Sequence, residues 1–210
     1  MTTTRPPTQP ATTGGMVRAR HPQMMISLAA ERMPLLGEQV RASLPPDTLD
    51  LLSVAAPSMW IPIEHDIRAV EAVCRQVGQV THDSLLQERA RREMGSPLFK
   101  SFVGTVLRLF GDSAATVVKQ IGNGWPQVFQ DAGTYEVLGI VDDSATAVLR
   151  GVPPACLASS VWVKGVPVAL ETLFELVNAT ATIGSTVGPR GDLLLSFAWR
   201  RGGRNSATPR

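Results

Sequence analysis

The apolar and polar residues divide the chain into a helical part and a later β-rich part. Between about residues 23 and 122, apolar residues recur every three or four positions, which is the spacing of one helix face. Proline, aspartate and glycine mark the interruptions, as they do at helix ends. Helices are therefore predicted at 23–43 around Pro34, after Pro45-Pro46-Asp47, at 64–78, from Asp83 to Gly95, at 97–111 and from Asp112 or Ser113 to Gly122.

Three of these helices carry more specific expectations. The charges between 83 and 95 alternate in sign, which is typical of a solvated face. The segment 97–111 is apolar almost throughout, and we expect it at the centre of the core. Gly122-Asn-Gly124 is expected to end the preceding helix with a left-handed turn.

After residue 133 the pattern becomes that of strands. Residues 134–141 and 145–152 are rich in β-branched residues and flank Asp142-Asp143-Ser144, which indicates a hairpin. A second hairpin is predicted from 179–186 and 192–199, and a helix with a kink near Gly165–Pro167 lies between the two. The predicted fold class is α+β, with N-terminal helices followed by ββαββ and a four-stranded antiparallel sheet packed against helices.

Composition sets the domain limits and the charge distribution. Residues 1–22 are predicted to be a disordered tail, 23–199 a single α+β domain, and 200–210 a basic disordered tail. The formal charge of the chain is +2, but seven arginines lie in the two tails. Residues 23–199 then hold 13 basic and 18 acidic residues, a net charge of −5. An acidic body argues against a nucleic-acid partner.

We predict a cytoplasmic protein from three features of the sequence. Its two cysteines lack CxxC spacing, it shows no signal-peptide pattern, and it has no apolar run long enough for a membrane span. We expect no metal and no cofactor, because the three histidines lack ligand spacing and Gly122-Asn-Gly124 lacks the glycines of a nucleotide-binding loop. An enzyme would have to use Cys156 or His65, as a hydrolase or transferase. No cluster of residues in the sequence favours that alternative.

Four tryptophans stand near predicted element boundaries in a chain that is only 5% aromatic. Tryptophans in such places either close the ends of a small core or line an apolar pocket. If a pocket exists, we expect it beside the kinked helix, against the sheet. The candidate pocket residues are Trp60, Trp125, Cys156, Trp162 and Phe174.

Several short segments resemble a bacterial domain family of unknown function, found chiefly as paralogous sets in myxobacteria, and the resemblance runs over about 35–199. They are WIPIE at 60–64, GTVLRLFG at 104–111, GWP at 124–126, TYEV at 134–137 and LRGVPP at 149–154. That family is similar to a superfamily that holds haem–nitric oxide sensors, vinyl-4-reductase-type ligand-binding domains and TRAPP core subunits. The resemblance implies this fold, and ligand binding or dimerisation as function.

The chain departs from two motifs of that superfamily. Haem sensors hold the propionates with Tyr-x-Ser-x-Arg, whereas the single tyrosine here reads Tyr135-Glu-Val-Leu-Gly139. The cysteine cluster of vinyl-reductase-type domains is also missing, since no cysteine follows Cys156. We therefore predict a non-enzymatic, regulatory or signalling domain that binds a small apolar ligand or a protein and forms a homodimer. A structural assembly subunit is the alternative.

Overall fold

The computed structural model describes residues 14–202, with the backbone alone at 97, 98, 102 and 106. Helices occupy most of the first 128 residues, and strands dominate the remainder. The helices are α1 (Arg20–Arg32), α2 (Pro34–Ser43), α3 (Pro46–Val54), α4 (Ile63–Val77), α5 (Gln79–Met94), α6 (Pro97–Phe110), α7 (Ala114–Val128), α8 (Pro154–Ala158) and α9 (Ser160–Glu171). The strands are β1 (Met16–Arg18), β2 (Trp60–Pro62), β3 (Phe129–Gln130), β4 (Thr134–Val141), β5 (Ser144–Arg150), β6 (Ala179–Val187) and β7 (Leu193–Arg201).

The larger sheet confirms the predicted fold class. Its four strands are antiparallel in the order β4-β5-β7-β6, and two hairpins with α8, α9 and a 3₁₀ helix between them produce that order. Asp142 takes a left-handed φ of 48° in the first hairpin turn, a conformation that aspartate tolerates well. The inner face of this sheet is filled by side chains, with Phe174 lying 6.3 Å from Phe197 and 6.0 Å from Trp199 between ring centroids.

The domain begins earlier in the chain than residue 23, its predicted N-terminal limit. Residues 16–18 form the middle strand of a second sheet, in the order β2-β1-β3, and Val17 is fully buried. A strand of three residues is too short to show a period, which is why composition alone suggested disorder. At the other end β7 continues to Arg201, two residues beyond the predicted limit. The rest of both predicted tails, 1–13 and 203–210, lies outside the described residues.

Two helix limits also differ from prediction. Helix α5 begins at Gln79, directly after Gly78, so Asp83 lies inside the helix and is not its cap. Helix α7 continues through Gly122-Asn-Gly124 to Val128. A Cβ on Gly122 would lie 3.3 Å from the Tyr135 ring, so this glycine permits close packing of α7 on β4 and does not form a turn.

The predicted kink and the predicted central helix turn out differently as well. Helix α9 continues through Pro167 and changes to a 3₁₀ helix only at Thr172. Helix α6 is peripheral, with Leu109 and Phe110 exposed by 65% and 59%. The expectation that α6 is central was wrong. An apolar composition favours burial of a helix, but it does not determine which other helices pack around that helix.

Candidate functional site

A cavity of about 180 Å³ lies among the helices α5, α6, α7 and α9. It was expected between the kinked helix and the sheet, but the residues that line this cavity include none from the four strands of the larger sheet. The walls are mostly aliphatic and aromatic. Apolar lining residues include Leu86 of α5, Leu107 of α6, Ile121 of α7 and Val166 of α9.

Helix α5 contributes a polar strip to this apolar cavity. His82, Arg89 and Glu93 are spaced by seven and four residues, so they lie on one face of the helix. All three line the cavity, and Arg89 is only 4% exposed. The expectation of a solvated charged face on this helix was therefore wrong for Arg89 and Glu93. Their neighbours Arg91 and Arg92 are exposed and ion-paired, as expected.

The polar atoms of this strip lack hydrogen-bond partners. In residues 14–202, the buried side-chain atoms without a partner belong to cavity-lining residues, apart from the Tyr135 hydroxyl. They are Asp66 Oδ2, both ring nitrogens of His82, Arg89 Nε and Nη1, Glu93 Oε1 and Trp125 Nε1. Buried polar groups normally have partners, so this concentration on one cavity indicates a place that a ligand or ordered water completes.

Asp66 and His21 form a buried pair at the cavity wall. His21 Nδ1 lies 2.9 Å from Asp66 Oδ1. Burial alone would raise the pKa of Asp66, but the contact with His21 and the nearby charge of Arg89 hold that pKa below its usual value. Asp66 is therefore an anion at neutral pH, and an ionised carboxylate can only accept, so Nδ1 of His21 is the donor. In a neutral His21, Nε2 is then left as an acceptor.

His82 is fully buried and behaves as a neutral imidazole. Burial lowers its pKa, although Asp83 opposes that shift. A neutral ring has one donor nitrogen and one acceptor nitrogen, and Nδ1 of His82 lies 3.6 Å from Asp83 Oδ1. The polar wall as a whole therefore contains Arg89, the acidic residues Asp66 and Glu93, and the histidines His21 and His82.

Aromatic rings form another part of the cavity wall. The rings of Trp125 and Phe129 stack with centroids 4.4 Å apart. Phe129 also meets Trp162 edge-on at 6.4 Å and His21 edge-on at 5.4 Å. Stacked and edge-on pairs hold one another in place, so this wall is preformed.

The five predicted pocket residues are separated by the fold. Trp125 and Trp162 line the cavity. Trp60 lies on β2, where the Arg18 guanidinium sits 3.8 Å from its ring centroid. Cys156 is buried in α8 and Phe174 is buried against the sheet, and neither lines the cavity.

The residues of the enzymatic alternative do not form a site. Burial raises the pKa of the Cys156 thiol to about 12, so it is protonated and unreactive at neutral pH. His65 lies away from the cavity, with Nδ1 2.9 Å from Thr48 Oγ1. Between residues 14 and 202, no three His, Cys, Asp or Glu side chains gather closely enough to hold a metal ion.

Solved structures of the same overall shape are haem–nitric oxide-binding (H-NOX) proteins. An H-NOX protein from K. algicida in an unliganded Fe(II) form matches with a TM-score of 0.57 at 10% identity, over 88% of this chain and 97% of that one. A mutant form of the H-NOX protein from T. tengcongensis matches with a TM-score of 0.50 at 11% identity, over 88% and 98%. This chain has the H-NOX fold. No family model matches the chain, and no curated protein sequence is detectably similar to it.

Haem, the group that the H-NOX name implies, does not fit the residues present. The cavity is close in size to one of roughly 150 Å³ that holds benzene, and a macrocycle is far larger. Where haem sensors hold the propionates with Tyr-x-Ser-x-Arg, this chain has Val137 and Gly139 after Tyr135.

The helical spacing of α5 contained a signal for the polar strip, but the high charge of this helix obscured that signal. His82, Leu86, Arg89 and Glu93 share one helix face with the buried Leu85. A charged residue on the same face as leucines is a candidate for burial, whereas the alternation of charge signs drew attention to the exposed side. His21 and Asp66 gave no such signal, because 45 residues separate them and only the fold joins them.

Proposed function

We propose that this chain is a non-enzymatic, sensor-type domain that binds a small, largely apolar molecule in the cavity among α5, α6, α7 and α9. The observation that carries the proposal is the coincidence of an apolar cavity with buried polar atoms that lack partners. Apolar walls with a few fixed polar groups are the usual composition of ligand sites. The polar atoms would orient the ligand, and the aromatic wall would supply most of the buried area.

The size of the cavity limits the ligand class. Pockets for drug-sized ligands measure roughly 300–1,000 Å³. At about 180 Å³ this one suits a molecule with a single ring or a short chain. The proposal therefore favours a small metabolite or volatile compound over a prosthetic group.

Regulation fits the site better than catalysis. A catalytic site needs a nucleophile or an acid–base pair aimed at a reacting atom. Cys156 and His65 lie away from the cavity, and the one hydroxyl among its described lining residues, that of Thr116, donates to the Phe110 carbonyl oxygen. The solved structures of similar fold are named for haem and nitric oxide binding, which supports binding as the role of the fold.

Two glycines allow a matched test of the cavity. A Cβ on Gly124, which lines the cavity, would meet no atom within 4 Å, and the same is true of Gly104 on the exposed side of α6. Gly124→Leu should fill the cavity, whereas Gly104→Leu should leave it open. Native mass spectrometry of protein purified from its own host should then show a small retained molecule in wild type and G104L but not in G124L.

Two results would contradict the proposal. One is a wild-type protein without retained mass whose thermal midpoint is unchanged by a library of small apolar compounds. The other is equal retention of the molecule by all three proteins. Circular dichroism establishes that both variants are folded before either result is interpreted.

Homodimerisation and a cytoplasmic location stay predictions from the sequence. Sedimentation velocity across a hundredfold range of protein concentration measures the first, and fractionation of the host cell measures the second. No helix between residues 14 and 202 is long and apolar enough to cross a membrane.

A further inference from the structure

Arg89 is the most unusual side chain at the cavity. It is 4% exposed, and its Nε and Nη1 atoms have no hydrogen-bond partner in the described residues. Glu93 follows one helical turn later, yet the two side chains form no ion pair. A buried charge that nothing binds is costly, so such a group usually marks a place where a partner arrives.

The free atoms of Arg89 define the shape of that partner. Nε and Nη2 point along one edge of the planar guanidinium, and Nη1 points away from it, so an anion on that edge satisfies Nε and leaves Nη1 for a second acceptor. A carboxylate accepts from both atoms of that edge at once, which makes it the best-matched anion for Nε. Trp125 Nε1 is a further unpartnered donor on the wall. Asp66 and Glu93 lie close enough to attract Arg89, but Asp66 already accepts from His21 at 2.9 Å, and Nε and Nη1 of Arg89 donate no hydrogen bond to either carboxylate.

We propose that the cavity binds a small apolar carboxylic acid, with the carboxylate on the guanidinium of Arg89 and the apolar part against the aromatic wall. This inference rests on the proposed function and adds the chemical class of the ligand. The aromatic wall of Trp125, Phe129 and Trp162 would pack against the apolar part. Glu93, beside Arg89, would weaken binding by repelling the carboxylate.

Three compounds of one size test the head group. Benzoate, benzamide and benzylamine share a ring and differ in charge, and a cavity that is slightly larger than one that holds benzene suits all of them. Isothermal titration at pH 7 should show benzoate binding at least about tenfold more tightly than benzamide. Arg89→Gln should remove that preference and keep the affinity for benzamide. Arg91→Gln, on the exposed side of the same helix, is the matched control and should behave as wild type.

A second variant tests the inference even if R89Q does not fold. Glu93→Gln removes the nearby negative charge, so it should tighten benzoate several-fold and leave benzamide unchanged. Equal affinities for benzoate and benzamide in wild type would overturn the carboxylate inference and leave the cavity as a binding site. If benzylamine binds most tightly, the inference is wrong, because the carboxylates of Asp66 and Glu93 would then be the groups that bind the ligand. If none of the three binds, the carboxylate inference is wrong, and the retained-mass experiment with G124L decides the proposed function separately.

Discussion

Replacing Arg89 by methionine should make the free protein more stable. The guanidinium is buried with two donors unpartnered, and each such donor costs about 1–3 kcal/mol. Methionine has similar length and no charge, so it can fill the same space without that cost. Loss of the attraction between Arg89 and the carboxylates of Asp66 and Glu93 opposes the gain. Because neither carboxylate forms a hydrogen bond with Nε or Nη1, we expect the cost of the unpartnered donors to exceed that attraction, with a net increase of about 1–3 kcal/mol in the free energy of unfolding.

Urea denaturation at pH 7 without added ligand measures this change. In a domain of this size, 1 kcal/mol corresponds to about 2–4 °C, so the thermal midpoint should rise by roughly 2–12 °C. Arg91→Met is the control, because it removes an exposed ion pair of 2.8 Å with Glu175 on the same helix. Exposed pairs contribute about 0–1 kcal/mol, so R91M should be neutral or slightly less stable.

A loss of stability in R89M would refute the reasoning. If R89M unfolds at a lower urea concentration than wild type with an unchanged m-value, the guanidinium is satisfied in the free protein. The carboxylate inference would then lose its starting point. A gain in stability together with loss of benzoate binding would show that Arg89 costs stability and serves the ligand.

Three further changes test other parts of the structure. A thiol reagent at pH 8 should label the partly exposed Cys74 in the native protein and reach Cys156 only after unfolding, because burial raises the Cys156 pKa to about 12; rapid native labelling of both would contradict this. The pKa of Asp66 is lowered in the folded protein, so its contribution to the free energy of unfolding is present above about pH 4 and is lost as pH falls through the folded pKa. The stability of Asp66→Asn should therefore fall less steeply with acid than that of wild type. Parallel curves of stability against pH would count against the pair with His21. Phe174→Ala should cost about 3–5 kcal/mol in urea denaturation, and a cost below about 1 kcal/mol would mean that the sheet face is loosely packed.

The fold was predictable wherever local pattern and tertiary environment agree. Both hairpins follow from β-branched runs that flank turn residues, and the sheet confirms them. Prediction failed where a neighbour decided the conformation. Gly122 is a helix breaker by propensity, yet it lies inside α7 because its missing side chain lets Tyr135 approach. A glycine that ends a helix and one that admits a neighbour look the same in a sequence.

The site was less predictable than the fold, for a different reason. Trp125 and Trp162 could be selected because tryptophan is rare in this chain and pockets favour aromatic walls. The polar groups are contributed by α1, α4 and α5, and no short segment contains more than part of the set. Proximity of His21 to Asp66 depends on how α1 crosses α4, which no spacing along the chain encodes.

The cavity arises because the charged helix α5 lies in the interior and the apolar helix α6 lies at the edge, the reverse of what their compositions predict. Helix α6, apolar almost throughout, was expected to fill the core, yet it lies at the edge, and Phe99, Val103 and Leu107 line the cavity from one side. Helix α5, rich in charge, takes the interior place, and its arginine and glutamate are poor at filling apolar space. A core that exchanged these helices would bury more apolar area and leave less room. That arrangement costs stability, and the proposed ligand, by pairing with Arg89 and filling the space, would recover part of that cost.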